Sequence, residues 1–135
     1  MSASPRAQGA ILIITFSSFR SGCRSLCFPL VYSAFVRGVQ ARGVATTPKH
    51  FAANDSEFER NTIDVQVDER TLREVYLVPF EHAVKEGGAW GVMSAYNRFR
   101  GEYCGHSRFL LTEILREEWG FTGFVTSDWI HGVRD

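Results

Sequence analysis

Gly123-Phe124-Val125-Thr126-Ser127-Asp128-Trp129 is the stretch that decides how this chain is read. Phe124, Val125 and Thr126 favour extended backbone, and Gly123 breaks whatever precedes them, so the text predicts a short strand. Asp128 falls at the C-terminal tip of that strand with Trp129 beside it. A carboxylate next to a large flat ring suits a small-molecule site. The plain alternative is a turn aspartate beside a core tryptophan.

Working outward, the same pattern repeats upstream. Leu110, Leu111, Ile114, Leu115 and Trp119 recur at helical spacing after Ser107, a candidate N-cap, and Gly120 closes that helix. Before it, Trp90 to Ala95 reads as a strand with Tyr96-Asn97 at its tip, followed by a polar loop with Gly101 and Gly105. Asp68 caps the preceding helix, whose stripe is Leu72, Val75, Tyr76, Phe80, Ala83 and Val84. Pro79 lies within it and predicts a kink, and Gly87-Gly88 ends it. Residues 52–67 are a long polar loop. Val44 to Thr47 predicts a strand stopped by Pro48, with Lys49-His50 at its tip. Leu30, Val31, Ala34, Phe35, Gly38 and Val39 form the apolar stripe of the first helix, which Gly43 stops. Residues 1–30 show no sustained period and are left without an element. The reading is therefore helix, strand, helix, strand, helix, strand, with no tight hairpin between strands. A helix in every strand-to-strand connection requires parallel pairing, and the fold class is α/β.

Composition bounds the function. The chain has 135 residues, enough for one ordinary domain, with 15 basic and 15 acidic residues and a formal net charge of zero. That balance supplies no electrostatic reason for a nucleic-acid or anionic membrane partner. The longest apolar candidate, Ala10 to Phe16, is too short to span a bilayer. Met1 to Phe16 loosely imitates a secretory leader, yet Arg20 and Arg24 follow and no clean small-x-small cleavage site appears. Cys23, Cys27 and Cys104 are odd in number and lack a histidine partner cluster, so free thiols are expected and neither a metal nor a cofactor is.

Three successive strand tips then carry a cation and an imidazole (Lys49, His50), a phenol and an amide (Tyr96, Asn97), and a carboxylate and an indole (Asp128, Trp129). In parallel α/β folds the loops at that end converge on the ligand. The coincidence favours a polar, polyhydroxylated ligand. Asp128 has the chemistry to attack an electrophilic carbon or to stabilise an oxocarbenium-like charge. Lys49, His50 and Arg60 have donors for hydroxyls, Tyr96 a hydroxyl to position the carboxylate, and Trp129 a face for a ring. The plain alternatives are a surface lysine, a satisfied histidine and core aromatics. His82, His106 and His131 are expected to be structural, and Glu57, Glu59, Glu113, Glu117 and Glu118 to be solvated.

Several of these stretches, in this order, resemble glycoside hydrolase family 3. They are Lys49-His50-Phe51-Ala52-Ala53-Asn54-Asp55, Glu59-Arg60, Val67-Asp68-Glu69-Arg70-Thr71-Leu72-Arg73-Glu74, Val92-Met93-Ser94-Ala95-Tyr96-Asn97, Glu118-Trp119-Gly120-Phe121 and Ser127-Asp128-Trp129. The β-glucosidase branch is the nearest likeness, over residues 31–135. The resemblance implies a partial TIM (β/α)8 barrel of about three parallel strands with intervening helices. It implies a retaining hydrolase of β-linked glucosides with Asp128 as nucleophile. It places Lys49, His50, Arg60, Met93 and Tyr96 around the sugar, with Trp129 bordering the pocket.

The departures set further expectations. A whole barrel of this kind needs about 250 residues, so a missing barrel half or second domain is the expected partner. Retaining hydrolysis uses two carboxyl groups roughly 5 Å apart, and only Asp128 is a credible one. Ala52-Ala53-Asn54-Asp55-Ser56 stands where the β-N-acetylhexosaminidase branch carries a Gly-His loop, which disfavours that branch. Residues 1–30 do not resemble the family and are expected to be a non-native or disordered leader to the genuine part. The isolated chain is accordingly expected to be inactive. Two alternatives remain at this point. One is a non-catalytic carbohydrate-binding or interaction relic. The other is a barrel fragment for phosphorylated metabolites, for which no Gly-rich phosphate loop is present.

Overall fold

The computed structural model describes residues 10–15, 27–56 and 58–129. Its frame is a run of parallel strands, β1 (Ala10–Thr15), β2 (Val44–Lys49), β4 (Gly91–Ser94) and β7 (Phe124–Ser127). β1 pairs with β2 from Ala10↔Val44 to Thr15↔Lys49, and β4 pairs with β7 from Gly91↔Phe124 to Ser94↔Ser127. β2 joins β4 just beyond its own end, where the Phe51 N–H donates to the Met93 carbonyl (2.9 Å) and the Ala95 N–H to the Phe51 carbonyl (2.8 Å). A helix fills each crossover: α1 (Cys27–Gln40), α3 (Val78–Lys85), and a helix of π-type bonding over Phe109–Glu118. The mixed α/β class is as read from the sequence. The strand expected to stop at Pro48 continues to Lys49. β1 and the start of α1 fall within residues 1–30, which the sequence pattern left without an element.

A second, smaller sheet corrects the expectation of polar loops without a hairpin. β3 (Asp64–Val65) pairs in parallel with β5 (Arg98–Phe99), which turns back into β6 (Glu102–Tyr103). Arg100 and Gly101 form the turn, both with positive φ (52° and 87°). An arginine and a glycine in the left-handed region make the tight hairpin turn that two-residue connections favour.

The core lies between the strands and the outer helices. Val92 faces outward from β4 into a cluster with Phe51, Leu72, Leu77, Phe80, Leu110, Ile114, Leu115, Trp119 and Phe121, and Val125 of β7 packs against it. Phe51 stands edge-on to Phe80 (centroids 5.1 Å apart) and Trp119 (5.8 Å). The opposite face of the strands is narrow: a Cβ on Gly91 would meet the Phe124 ring at 2.5 Å and Thr47 Oγ1 at 2.8 Å. Glycine lets the three strands approach there.

Two helices differ from their predicted stripes. The expected single kinked helix is α2 (Glu69–Thr71), a π turn (Leu72–Tyr76) and α3. Asp68 caps it as expected: Oδ1 accepts the Thr71 N–H (3.0 Å) and Oδ2 the Thr71 hydroxyl (2.6 Å). The Leu77 N–H donates to the Leu72 carbonyl five residues back (2.9 Å). That wide turn inserts one residue and shifts the later positions around the axis. Leu77 is therefore buried while Val75, assigned to the stripe, is exposed. Pro79 stands in the first turn of α3, where its missing N–H is tolerated, and so begins a helix instead of kinking one.

α1 is rotated more drastically. Leu30, Val31 and Phe35, expected to be core, are exposed, as are Ala34 and Gly38, whereas Tyr32, Ser33 and Val36 are buried. The physical reason is a polar seam. The Ser33 hydroxyl donates to the His82 carbonyl (3.1 Å), Arg37 to the Glu86 carbonyl (2.8 Å), and the Gln40 amide to the Gly88 carbonyl (2.8 Å). Gln40 Oε1 accepts from the Thr46 hydroxyl (2.7 Å) and the Trp90 N–H (2.9 Å), tying α1 to β2 and to the start of β4. Helix ends leave carbonyls without intrahelical partners, and this side of α1 supplies donors to those at the end of α3 and just after it.

Candidate active site

The C-terminal ends of β2, β4 and β7 bring several of the singled-out side chains together. His50 follows the last residue of β2 and Asp128 the last residue of β7. His50 Nε2 lies 3.2 Å from Asp128 Oδ2, with the two side chains only 18% and 14% exposed. The other carboxylate oxygen, Oδ1, accepts the Trp129 N–H at 2.8 Å. Both oxygens of Asp128 thus have a donor, which fixes the plane of the carboxylate. Tyr96, just past β4, is only 9% exposed, and its ring centroid is 6.3 Å from that of His50. The guanidinium of Arg60 arrives from the long loop after β2 and stands 5.4 Å from the Tyr96 centroid, within cation–π range.

The structure therefore groups Asp128, His50, Tyr96 and Arg60. The remaining candidates sit differently. Lys49 ends β2 and is half-buried. Met93 is 1% exposed on β4, in register with Thr126 of β7, so it packs beneath the tips. Trp129 is 73% exposed, with its indole open to solvent. Lys49-His50 and Phe51-Ala52 are cis peptide bonds.

The arrangement is suited to holding a carboxylate against a polar ligand. Half-burial beside an imidazole strengthens the contact relative to open water, and the donors leave the carboxylate little rotational freedom. Six other carboxylates are committed elsewhere. Glu69, Glu74, Glu81, Glu86, Glu113 and Glu118 pair with Arg or Lys, or in one case His82, away from Asp128. The expectation that Glu118 is merely solvated is corrected: Arg73 makes two bonds to it, at 2.6 and 2.8 Å. His131 and Glu57 lie outside the described residues. Among the described residues no cluster of metal-ligating groups occurs, and no helix is long and apolar enough to cross a membrane. A cleft of about 470 Å³ between Trp90, Trp119 and Phe121 lies at the opposite end of β4 and β7 and touches none of the site residues.

The sequence pattern puts Asn97 at a strand tip without a role and makes Cys104 an ordinary thiol. Both are completely buried beside the site loops. Burial pushes the Cys104 thiol up to about 11. The only available signal was the position of Asn97 directly after Tyr96.

Comparison with known proteins gives the context. Residues 14–134 match the glycosyl hydrolase family 3 N terminal domain. The chain is 59% identical over 96 residues to a beta-glucosidase of Rhizobium radiobacter, covering 71% of this chain and 12% of that protein. It is 55% identical over 97 residues to thermostable beta-glucosidase B of Acetivibrio thermocellus, covering 72% of this chain and 13% of that protein. Among solved structures, beta-glucosidase 3B from Thermotoga neapolitana in complex with glucose superposes with a TM-score of 0.80 at 43% identity, covering 91% of this chain and 19% of that one. The chain thus spans about one eighth of the length of the curated relatives it matches. Through that match, and in the order of its strands and helices, it belongs to glycosyl hydrolase family 3, as part of the family's N-terminal domain.

Proposed function

We propose that this chain carries the nucleophile half of a β-glucosidase-like retaining site, built on part of a (β/α)8 barrel. β1, β2, β4 and β7 are consecutive barrel strands on this reading, one more than the sequence pattern predicts, so the barrel-domain portion takes in β1 (Ala10–Thr15) as well as residues 31–135. The observation that carries it is the 3.2 Å contact between His50 and Asp128 at the strand tips, with Tyr96 and Arg60 beside it. The ligand is a β-linked glucoside. Asp128 attacks the anomeric carbon; the bond from that carbon to the leaving oxygen breaks, and its electron pair departs with the leaving group. His50, Lys49 and Arg60 donate hydrogen bonds to sugar hydroxyls, Tyr96 and Met93 shape the floor, and Trp129 borders the ring. Asp128 supplies one of the two carboxyl groups that retaining hydrolysis requires. The complementary barrel strands or second domain supply the other.

The second carboxyl protonates the leaving oxygen in the first step and activates water in the second, so the isolated chain forms the first bond only with a leaving group that needs no proton, and it does not complete turnover. A dinitrophenyl 2-deoxy-2-fluoro-β-glucoside has a leaving group that needs no proton, and its fluorine slows release of the ester. Peptide mass spectrometry is expected to find the label on Asp128. A label on another residue, or an unlabelled Asp128 at saturating reagent, contradicts the assignment. Robust turnover of an ordinary aryl β-glucoside, abolished by Asp128→Ala, overturns the claim that the chain alone is inactive.

A further inference from the structure

We propose that Asn97 and Cys104 are positioning residues that hold Arg60 over Tyr96 by pinning the start of the Arg60 loop to the hairpin whose backbone already holds the end of that loop. The loop leaves β2 through Ala52 and returns at Ile63. At its start, the Ala52 carbonyl accepts from Asn97 Nδ2 (3.4 Å) and from the Cys104 thiol (3.6 Å). At its end, the Arg98 N–H donates to the Ile63 carbonyl (3.0 Å), the Arg100 N–H to the Val65 carbonyl (3.1 Å), and the Gly101 N–H to Asp64 Oδ1 (2.8 Å). All five donors lie between residues 97 and 104. The hairpin is itself closed by the Cys104 N–H on the Asn97 carbonyl (3.1 Å). Asn97 Nδ2 also donates to the Arg98 carbonyl (3.1 Å). Two carbonyl acceptors fix which end of the Asn97 amide faces the loop.

Ala53, directly after the pinned carbonyl, has φ +57°, and Glu59, directly before Arg60, has φ +45°. Side chains rarely adopt this region, and it persists only where neighbouring bonds over-determine it. The Ala52 anchor adjoins Ala53, while the Glu59 carbonyl accepts the Thr62 and Ile63 N–H groups (2.7 and 2.8 Å), and Ile63 is in turn held by the hairpin. Tyr96 immediately precedes Asn97, so the residue that receives the guanidinium and the residue that anchors the loop move together. The sugar-binding part of the inference rests on the proposed function; the loop anchoring does not.

The test uses the full 135-residue chain with Asn97→Asp, which keeps the shape and removes the donors. Cys104→Ala removes the second donor. Val36→Ala, a buried change at the α1 seam, serves as a control for general destabilisation. Trypsin cleavage after Arg60 is measured relative to cleavage after Arg70, with glucose affinity followed by titration. Asn97→Asp is expected to speed Arg60 cleavage and to weaken glucose binding by about 10-fold each, the scale of one lost buried hydrogen bond. Cys104→Ala is expected to do so by about 3-fold. Val36→Ala is expected to change neither by more than about twofold. Equal Arg60 cleavage in Asn97→Asp and Val36→Ala overturns the proposal. Should Asn97→Asp fail to fold, Cys104→Ala alone decides it, and an unchanged cleavage ratio there counts against it. Accelerated cleavage in a chain whose wild type binds no glucose supports the anchor and defeats the sugar reading.

Discussion

Phe51 is the residue on which the fold and the site both turn, and replacing it with alanine is the sharpest test of how they are coupled. Its side chain is fully buried, edge-on to Phe80 and Trp119. Its backbone joins β2 to β4, and it directly follows His50. Truncating a buried phenylalanine costs about 3–5 kcal/mol, of which each lost aromatic pair contributes about 0.5–1.5 kcal/mol. Native domains hold only about 5–15 kcal/mol in total, so Phe51→Ala removes a large share of the stability of this chain. Urea titration followed by tryptophan fluorescence measures it well. Trp119 is 8% exposed, whereas Trp90 and Trp129 are already 46% and 73% exposed, so the change on unfolding reports mainly the Phe51 cluster. The matched control is Phe35→Ala on the outer face of α1, expected to stay within about 0.5 kcal/mol of wild type. A Phe51→Ala loss below about 1 kcal/mol refutes the core assignment, and an equal loss for Phe35→Ala refutes the rotation of α1.

Three further outcomes follow from single contacts. Arg73 bonds both Glu69 and Glu118 and holds their carboxyls below the ordinary value of 4.5. Carboxyls depressed in the folded state contribute stability above 4.5 and lose it as pH falls through their folded values. Arg73→Met is therefore expected to be less stable than wild type at neutral pH, with the gap closing in urea titrations below about pH 4; a pH-independent gap contradicts the pairing. Gly123→Ala would place a Cβ 2.2 Å from the Trp90 carbonyl oxygen and 2.7 Å from the Phe121 ring. Backbone cannot yield as a side chain does, so thermal unfolding is expected to show a loss of at least about 1–3 kcal/mol. The buried, neutral Cys104 thiol is expected to resist alkylation at pH 8 until urea unfolds the chain, as read by peptide mass spectrometry; rapid native labelling counts against its burial.

What the sequence made legible was whatever local periodicity and turn chemistry control. β4, β7, the 109–118 helix and the Asp68 cap follow directly from apolar spacing and breakers. The α1 face departs from its apolar stripe because the side turned to α3 is partly polar: Ser33, Arg37 and Gln40 bond carbonyls of α3 and the loop after it, and no hydrophobic pattern records such a debt. Val75 was misplaced because the π turn, invisible to a 3.6-residue template, shifts the phase by one position. β3, β5 and β6 are too short to show alternation. At the site, the tips of three strands announced His50, Tyr96 and Asp128. The Asn97–Ala52 bond joins positions 45 residues apart, which only the folded chain reveals.

The most direct measurement of the central claim is a glucose titration of the isotope-labelled chain, following assigned resonances of His50, Arg60, Tyr96 and Trp129. These four are expected to shift together along one saturable curve, with the response lost in Asp128→Ala. Shifts confined to Trp90, Trp119 and Phe121 at the opposite end of the strands, or no saturable response at the four residues, would contradict that claim.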